Sequence, residues 1–157
     1  MSIVINSFEI SKLDAISIWS ICGAQYISNT DVLHPVERGL QGIIGSFALN
    51  TRRVLESFDK DTKFLLMQSC WSPSGRINIK DIESDLWNTL KLIVHTSSFE
   101  VIFEHLPDHL SYISSENRVI TFIKVSTYRR KEVFVYPFSM AYTFLSGVQT
   151  KFSAKNP

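Results

Sequence analysis

Four polar side chains are the first candidates for chemistry in this sequence. Asn50 and Arg53 share one face of a predicted long helix, and Asn88 and His95 lie two turns apart on a later predicted helix. If these helices pack together, an Arg beside a His could cleave RNA without metal, because the imidazole would move the 2′-hydroxyl proton and the guanidinium would stabilise the pentacoordinate phosphate. The alternative is a structural polar seam in which His95 closes its helix and meets the helix dipole.

A second set of candidate ligands consists of His105, Asp108 and His109, with His95 as a further member. Two histidines four residues apart can bind zinc from one face of a helix. However, Pro107 lies between them and the segment follows a predicted strand, so no helix is expected there. We interpret the segment as a surface loop and predict neither a metal site nor a cofactor.

The densest basic cluster is Tyr128-Arg129-Arg130-Lys131, in a predicted hairpin loop. Three cations beside an aromatic ring can bind phosphate and stack a base, or bind an acidic protein. The alternative is a solvated loop whose charges discourage pairing between sheet edges. Because the formal net charge is only +1, nucleic-acid binding would depend on this local patch. One short loop offers a nucleic-acid strand little track, so a protein partner is favoured.

The two cysteines, Cys22 and Cys70, are too few for a disulfide framework and are interpreted as buried free thiols. The sequence around Cys70 and Trp71 offers no base that would activate a nucleophile. No apolar run approaches the roughly 20 residues that cross a bilayer, and the first residues lack an export-signal pattern. We therefore expect a cytoplasmic protein with no membrane segment.

A long central helix, His34–Asp59, is the element that must position these residues. Its predicted buried stripe has three- and four-residue spacing and consists of Val36, Leu40, Ile44, Phe47, Thr51, Val54 and Phe58. Pro35 is expected in its first turn, where a missing N–H costs nothing. Gly39, Gly42 and Gly45 form a smooth strip that suits close approach of another helix, from this chain or from a second copy in a homodimer.

Two further helices are predicted around the central one. Residues 1–10 are expected to form a short strand or a packed arm, and a helix is expected to start at Ser11 and to end in a turn at Asn29–Asp31. Its predicted buried face consists of Leu13, Ile16, Ile18, Trp19, Ile21, Cys22 and Tyr26. After a short helix or strand at Phe64–Met67 and a loop at Trp71–Gly75, Asn78 is predicted to cap a helix. The core stripe of that helix is Ile79, Ile82, Leu86, Leu90 and Ile93.

The C-terminal part has the two-residue period of strands. Phe99, Val101 and Phe103 alternate with other residues, and two strands, Val119–Val125 and Val133–Phe138, are predicted to flank a hairpin loop at Ser126–Glu132. Ser139 is expected to cap a closing helix that stops at Gly147. The prediction is therefore one α+β domain over residues 1–149, with N-terminal helices, an antiparallel sheet of about three strands and a closing helix, followed by a frayed tail at 150–157.

The stretches Phe47–Glu56 and Leu86–His95 resemble small bacterial HEPN-type proteins. The resemblance implies a helical bundle and a role in antiphage defence or a toxin–antitoxin system, either as a nuclease or as a non-catalytic partner. The nucleases of that family carry an Arg followed, after four to six residues, by a His, and no Arg of this sequence has a His at that distance. We therefore predict a non-catalytic accessory domain that binds a macromolecule. The alternative is a metal-independent ribonuclease that uses Arg53 and His95.

Overall fold

The computed structural model describes residues 2–28, 30–67, 82–112 and 117–156. The fold is α+β, as the sequence predicts, with N-terminal helices followed by an antiparallel sheet and closing helices. The helices are α1 Ile3–Cys22, α2 Thr30–Leu55, α3 Leu86–Val94, α4 Pro137–Thr143 and α5 Gln149–Lys155, and the strands are β1 Tyr26–Ile27, β2 Ser98–His105, β3 Asn117–Ser126 and β4 Val133–Val135. Within these ranges, no helix combines the length and the apolar character that a membrane crossing needs.

Helix α1 begins at Ile3, because the Ser2 hydroxyl oxygen accepts a hydrogen bond from the Ile5 N–H at 3.3 Å. The predicted strand or arm at residues 1–10 and the predicted start at Ser11 are therefore wrong. The buried face consists of Ser7, Phe8, Ser11, Ala15, Ile18 and Cys22. Leu13, Ile16 and Trp19, which the predicted stripe included, are 66%, 47% and 44% exposed. A helix that is apolar nearly all round gives no unique stripe, so small residues at the contact with α2 determine its buried face.

Helix α2 confirms the predicted central helix, but it begins at Thr30 and ends at Leu55. Pro35 therefore lies inside the helix and not in its first turn. The predicted turn at Asn29–Asp31 is wrong for Thr30 and Asp31, which are helical, and Asn29 lies outside the described residues. The predicted stripe is buried at Leu40, Ile44, Phe47, Thr51 and Val54. The Thr51 hydroxyl donates to Ser11 Oγ at 3.0 Å and the Ser46 hydroxyl donates to Asp14 Oδ2 at 2.7 Å. From the first of these contacts to the second, the residue number falls along α2 and rises along α1, so the two helices are antiparallel.

Helix α3 begins at Leu86, with Asp85 as its cap, because the Asn88 N–H donates to Asp85 Oδ1 at 2.9 Å. Leu86, Leu90 and Ile93 form the buried stripe as predicted. Ile82 was predicted to be helical, but it lies in an extended bridge with Phe134. The predicted cap Asn78, Ile79, the loop Trp71–Gly75 and Cys70 lie outside the described residues. Phe64–Met67 is not helical, and Leu65 bridges to Asp85.

The sheet confirms the predicted hairpin and adds the short strand β1, which the sequence did not indicate. β2, β4 and β1 each pair antiparallel with β3. A bulge at Ile102/Phe103 places Ile120 opposite Phe103 and Phe122 opposite Ile102. The extra residue of the bulge lies in β3 and shifts the alternation of its side chains between the two faces of the sheet by one residue. Ile120 therefore stays on the core side together with Ile123, which is opposite Val101.

The closing helix begins at Pro137, within the predicted strand Val133–Phe138, and not at Ser139. Gly147 does not end it, because a π-helical turn over Phe144–Val148 leads directly into α5. The predicted frayed tail at 150–157 is wrong for residues 150–155, which belong to α5. Phe152 is only 4% exposed and its ring stacks on that of Phe8 at 4.3 Å, so burial of an aromatic side chain holds α5 against α1.

Candidate functional site

Asn50 belongs to the contact between α1 and α2. Its side-chain amide donates to the Ser46 carbonyl at 3.0 Å, and the Ser46 hydroxyl donates to Asp14. Burial raises the pKa of Asp14, and the hydrogen bond from Ser46 lowers it by less. These bonds give Asn50 a structural partner on α2 and, through Ser46, a link to α1.

Arg53 is exposed, and its neighbour Arg52 makes the contact with α3. The Arg52 guanidinium carbon lies 5.3 Å from the centroid of the Trp87 ring. Arg52 Nε is buried and has no hydrogen-bond partner among the described residues. Sequence reasoning missed Arg52. The available signal was its position four residues after the buried Ala48, which places it at the border of the buried stripe.

Asn88 and His95 do come together, in a cleft of about 580 Å³ between α3 and the β3–β4 loop. We call it the α3–hairpin cleft, and its lining consists of Asn88, Lys91, Leu92, His95, Thr127, Tyr128, Arg129 and Arg130. The structure thus brings Asn88 and His95 of the first predicted set together with Tyr128, Arg129 and Arg130 of the basic cluster. The described lining residues include neither Asn50 nor Arg53, so the four residues proposed for RNA cleavage do not form one site.

The α3 side of this cleft follows from helix periodicity. Asn88, Lys91 and His95 are exposed and are spaced by three and four residues, opposite the buried stripe. His95 caps the helix, and its backbone N–H donates to the Lys91 carbonyl at 3.2 Å. The interpretation of His95 as the residue that closes its helix is therefore confirmed.

The loop on the opposite side of the cleft is held by its own backbone. The Thr127 N–H donates to the Arg130 carbonyl at 2.8 Å, and the Thr127 hydroxyl oxygen accepts from the N–H groups of Arg129 and Arg130 at 3.3 and 3.0 Å. Glu132, at a φ of 52°, donates its N–H to Ser126 Oγ. Tyr128 is 98% exposed. The loop therefore presents its side chains to solvent from a fixed backbone.

The charges of the cleft are of one sign. Arg130 Nη1 lies 2.8 Å from Glu83 Oε2, so this Arg is anchored to the segment that precedes α3. Lys91 and Arg129 form no ion pair with another residue of the described ranges. The described lining residues include no carboxylate, and Lys131 is not among them. The cleft is therefore lined by two cations without an ion pair in the described ranges, one anchored cation and the imidazole of His95.

The second predicted set does not form a cluster of ligands. His105 ends β2, and its Nε2 lies 3.3 Å from Arg118 Nη2, while His109 lies in a short 3₁₀ helix at Asp108–Leu110. Across the described ranges, no group of three or more His, Cys, Asp or Glu side chains could hold a metal ion. Cys22 is a buried free thiol, as predicted, and burial raises its pKa to about 12.

The glycine strip of α2 is open. Apart from the backbone of α2 itself and the neighbouring residues in the chain, no described atom lies within 4 Å of a Cβ built on Gly39, Gly42 or Gly45. The expectation that a helix of the same chain packs on this strip is therefore wrong for the part of the chain that the structure describes. The homodimer stays a prediction.

The chain matches no family model, no curated protein and no solved structure at a significant level. The resemblance to HEPN-type proteins consequently stays a prediction from the sequence.

Proposed function

We propose that this protein is a non-catalytic binding module that holds an acidic segment of a partner protein in the α3–hairpin cleft. The observation that carries the proposal is the charge of the lining: among its described residues, Lys91, Arg129 and Arg130 occur without a carboxylate. In a chain of formal net charge +1, such a concentration of one sign is local and not a consequence of composition. A cleft of one sign attracts the opposite charge and orients it during the encounter.

The cleft is also rigid enough to select a ligand. The hydrogen bonds of Thr127 fix the loop backbone, and Asp85 caps the start of α3. The ion pair of Arg130 with Glu83 ties these two walls together. A cleft formed before the partner arrives loses little conformational entropy on binding, and this favours affinity.

Two features support a peptide over a nucleic acid and binding over catalysis. The helix that forms one wall rises about 1.5 Å per residue, so Asn88 and His95 are only about 10 Å apart along it, a short track for a nucleic-acid strand. The Arg53 that would stabilise a pentacoordinate phosphate does not line the cleft. His95 therefore lacks the partner that the ribonuclease alternative assigned to it.

The test is fluorescence anisotropy with fluorescein-labelled octaglutamate as the probe. The double variant Lys91→Glu/Arg129→Glu should raise the Kd by about tenfold or more, because it replaces both unpaired cations by anions. The matched control is Arg38→Glu/Arg53→Glu, which changes the net charge equally on exposed positions of α2 outside the cleft. Both variants should keep the wild-type circular dichroism spectrum.

Three outcomes contradict the proposal. The first is that the wild type does not bind octaglutamate, and the second is that the two double variants lose affinity equally. The third is that a single-stranded oligouridylate of about twelve nucleotides binds more tightly than octaglutamate at the same salt concentration. The last outcome would overturn the choice of a protein partner.

A further inference from the structure

A second cleft, of about 660 Å³, adjoins the first along α3. We call it the α2–α3 cleft, and its lining consists of Leu55, Glu56, Phe58, Asp59, Lys60, Thr62, Lys63, Phe64, Leu65, Asp85, Trp87 and Asn88. Asn88 lines both clefts. Trp87, Asn88, Lys91 and His95 are all exposed on α3, so the two clefts adjoin at Asn88. We call the two adjoining clefts together the groove.

The charge of the groove changes along its length. The α3–hairpin cleft has cations and no carboxylate among its described lining residues. The described lining of the α2–α3 cleft has three carboxylates, those of Glu56, Asp59 and Asp85, against two lysines. A ligand that is anionic throughout would therefore be attracted to one end and repelled by carboxylates at the other.

The α2–α3 cleft offers apolar surface instead. Phe58 and Phe64 pack edge to face at 5.5 Å, and Leu55 and Leu65 lie in the same lining. Trp87 is 37% exposed, and its ring is held by the Arg52 guanidinium. A fixed, partly exposed Trp is the kind of side chain that anchors an apolar residue of a partner.

We propose that the bound segment is bipartite: its acidic residues lie in the α3–hairpin cleft, and a neighbouring aromatic or large aliphatic side chain lies in the α2–α3 cleft against Trp87. This inference rests on the proposed function and specifies the ligand class of the same groove. It also distinguishes the partner from a nucleic acid, whose phosphates would continue past Asn88 towards the three carboxylates.

The test compares three fluorescein-labelled probes: octaglutamate, octaglutamate extended by Gly-Gly-Phe at its C-terminus, and octaglutamate preceded by Phe-Gly-Gly. Two extended probes are needed because either chain direction could run along the groove. At least one of them should bind about tenfold more tightly than octaglutamate. Trp87→Ala should remove this gain and leave the Kd for octaglutamate unchanged. Tyr142→Ala, which truncates a somewhat more exposed aromatic residue outside the groove, should keep the gain.

A second variant guards against a folding defect of Trp87→Ala. Leu65→Glu adds an anion to an exposed position of the α2–α3 cleft and should also remove the gain, with the wild-type circular dichroism spectrum retained. If octaglutamate binds and neither Phe extension improves its Kd, or if the gain survives both variants, this inference is overturned while the proposed function stands. If no probe binds, both are overturned.

Discussion

The guanidinium carbon of Arg52 lies 5.3 Å from the centroid of the Trp87 ring, so Arg52, and not the Arg53 that the sequence singled out, connects α2 to α3. A cation–π contact at a partly exposed site contributes about 0.5–1 kcal/mol. The buried Nε, which has no hydrogen-bond partner among the described residues, offsets part of that contribution. The contact thus orients Trp87 more than it stabilises the fold.

The first prediction separates the two neighbouring arginines. Arg52→Ala should lower the free energy of unfolding by about 1 kcal/mol, because it removes the packing of the side-chain stem as well as the contact with Trp87. Arg53→Ala should change it by less than about 0.5 kcal/mol, since Arg53 is exposed. Urea denaturation monitored by circular dichroism measures both. A larger loss for Arg53→Ala than for Arg52→Ala would contradict this assignment.

The sequence predicted the fold well where one periodicity dominated. The stripe Leu40, Ile44, Phe47 and Val54 of α2 was correct because that helix buries one face. The hairpin of β3 and β4 was correct because two apolar runs of strand-forming residues flank a polar loop. Helix α1 was harder, because apolar residues occur nearly all round it. Its buried face is set by tertiary packing, of which the hydrogen bond between Ser11 and Thr51 is one part, and no local pattern specifies that packing.

The candidate site could be predicted only in pieces. The sequence identified His95 and the basic loop separately, and the helical spacing of Asn88 and His95 correctly placed them on one face. That α3 and the loop lie side by side is a matter of long-range contacts, such as the ion pair between Arg130 and Glu83, which are 47 residues apart in the chain. A contact between such distant residues leaves no signal in one sequence.

The second prediction concerns the open glycine strip. Because no described atom outside the local backbone of α2 and the neighbouring residues lies within 4 Å of a Cβ built on Gly42, Gly42→Ala should fit the monomer. It should raise the free energy of unfolding by about 0.5–1 kcal/mol through helix propensity. Gly42→Leu should likewise fold. If two copies of the chain pack against each other through this strip, only the larger Leu side chain would separate the two copies. Light scattering would then show a dimer for the wild type and a monomer for Gly42→Leu. A monomeric mass for both would remove the homodimer hypothesis.

The third prediction is a pH dependence of stability. Burial raises the pKa of Asp14 above its ordinary value of 3.8, so the folded protein holds this proton more tightly than the unfolded chain does. The protonated Asp14 carboxyl therefore favours the folded state at low pH, and this contribution to the free energy of unfolding is lost as the pH rises above 3.8. Asp14→Asn keeps an oxygen that accepts from Ser46 and does not titrate. Its stability relative to wild type should increase in urea denaturation as the pH rises above 3.8, and a constant difference would contradict the prediction.

The last prediction tests the ribonuclease alternative directly. Metal-independent cleavage of RNA needs a proton-transfer group and a cation at the same phosphate, and a proton transfer requires approach within hydrogen-bond distance. His95 lies in the α3–hairpin cleft, whereas Arg53 is exposed elsewhere on α2 and Asn50 is bonded to Ser46. Purified protein should therefore leave a fluorescently labelled RNA intact in EDTA, with a known metal-independent ribonuclease as the positive control. Cleavage by the wild type that disappears in both Arg53→Ala and His95→Ala, at unchanged melting temperature, would overturn this expectation. Loss of cleavage in His95→Ala and Lys91→Ala, but not in Arg53→Ala, would instead place a catalytic site in the cleft and contradict the non-catalytic role proposed for it.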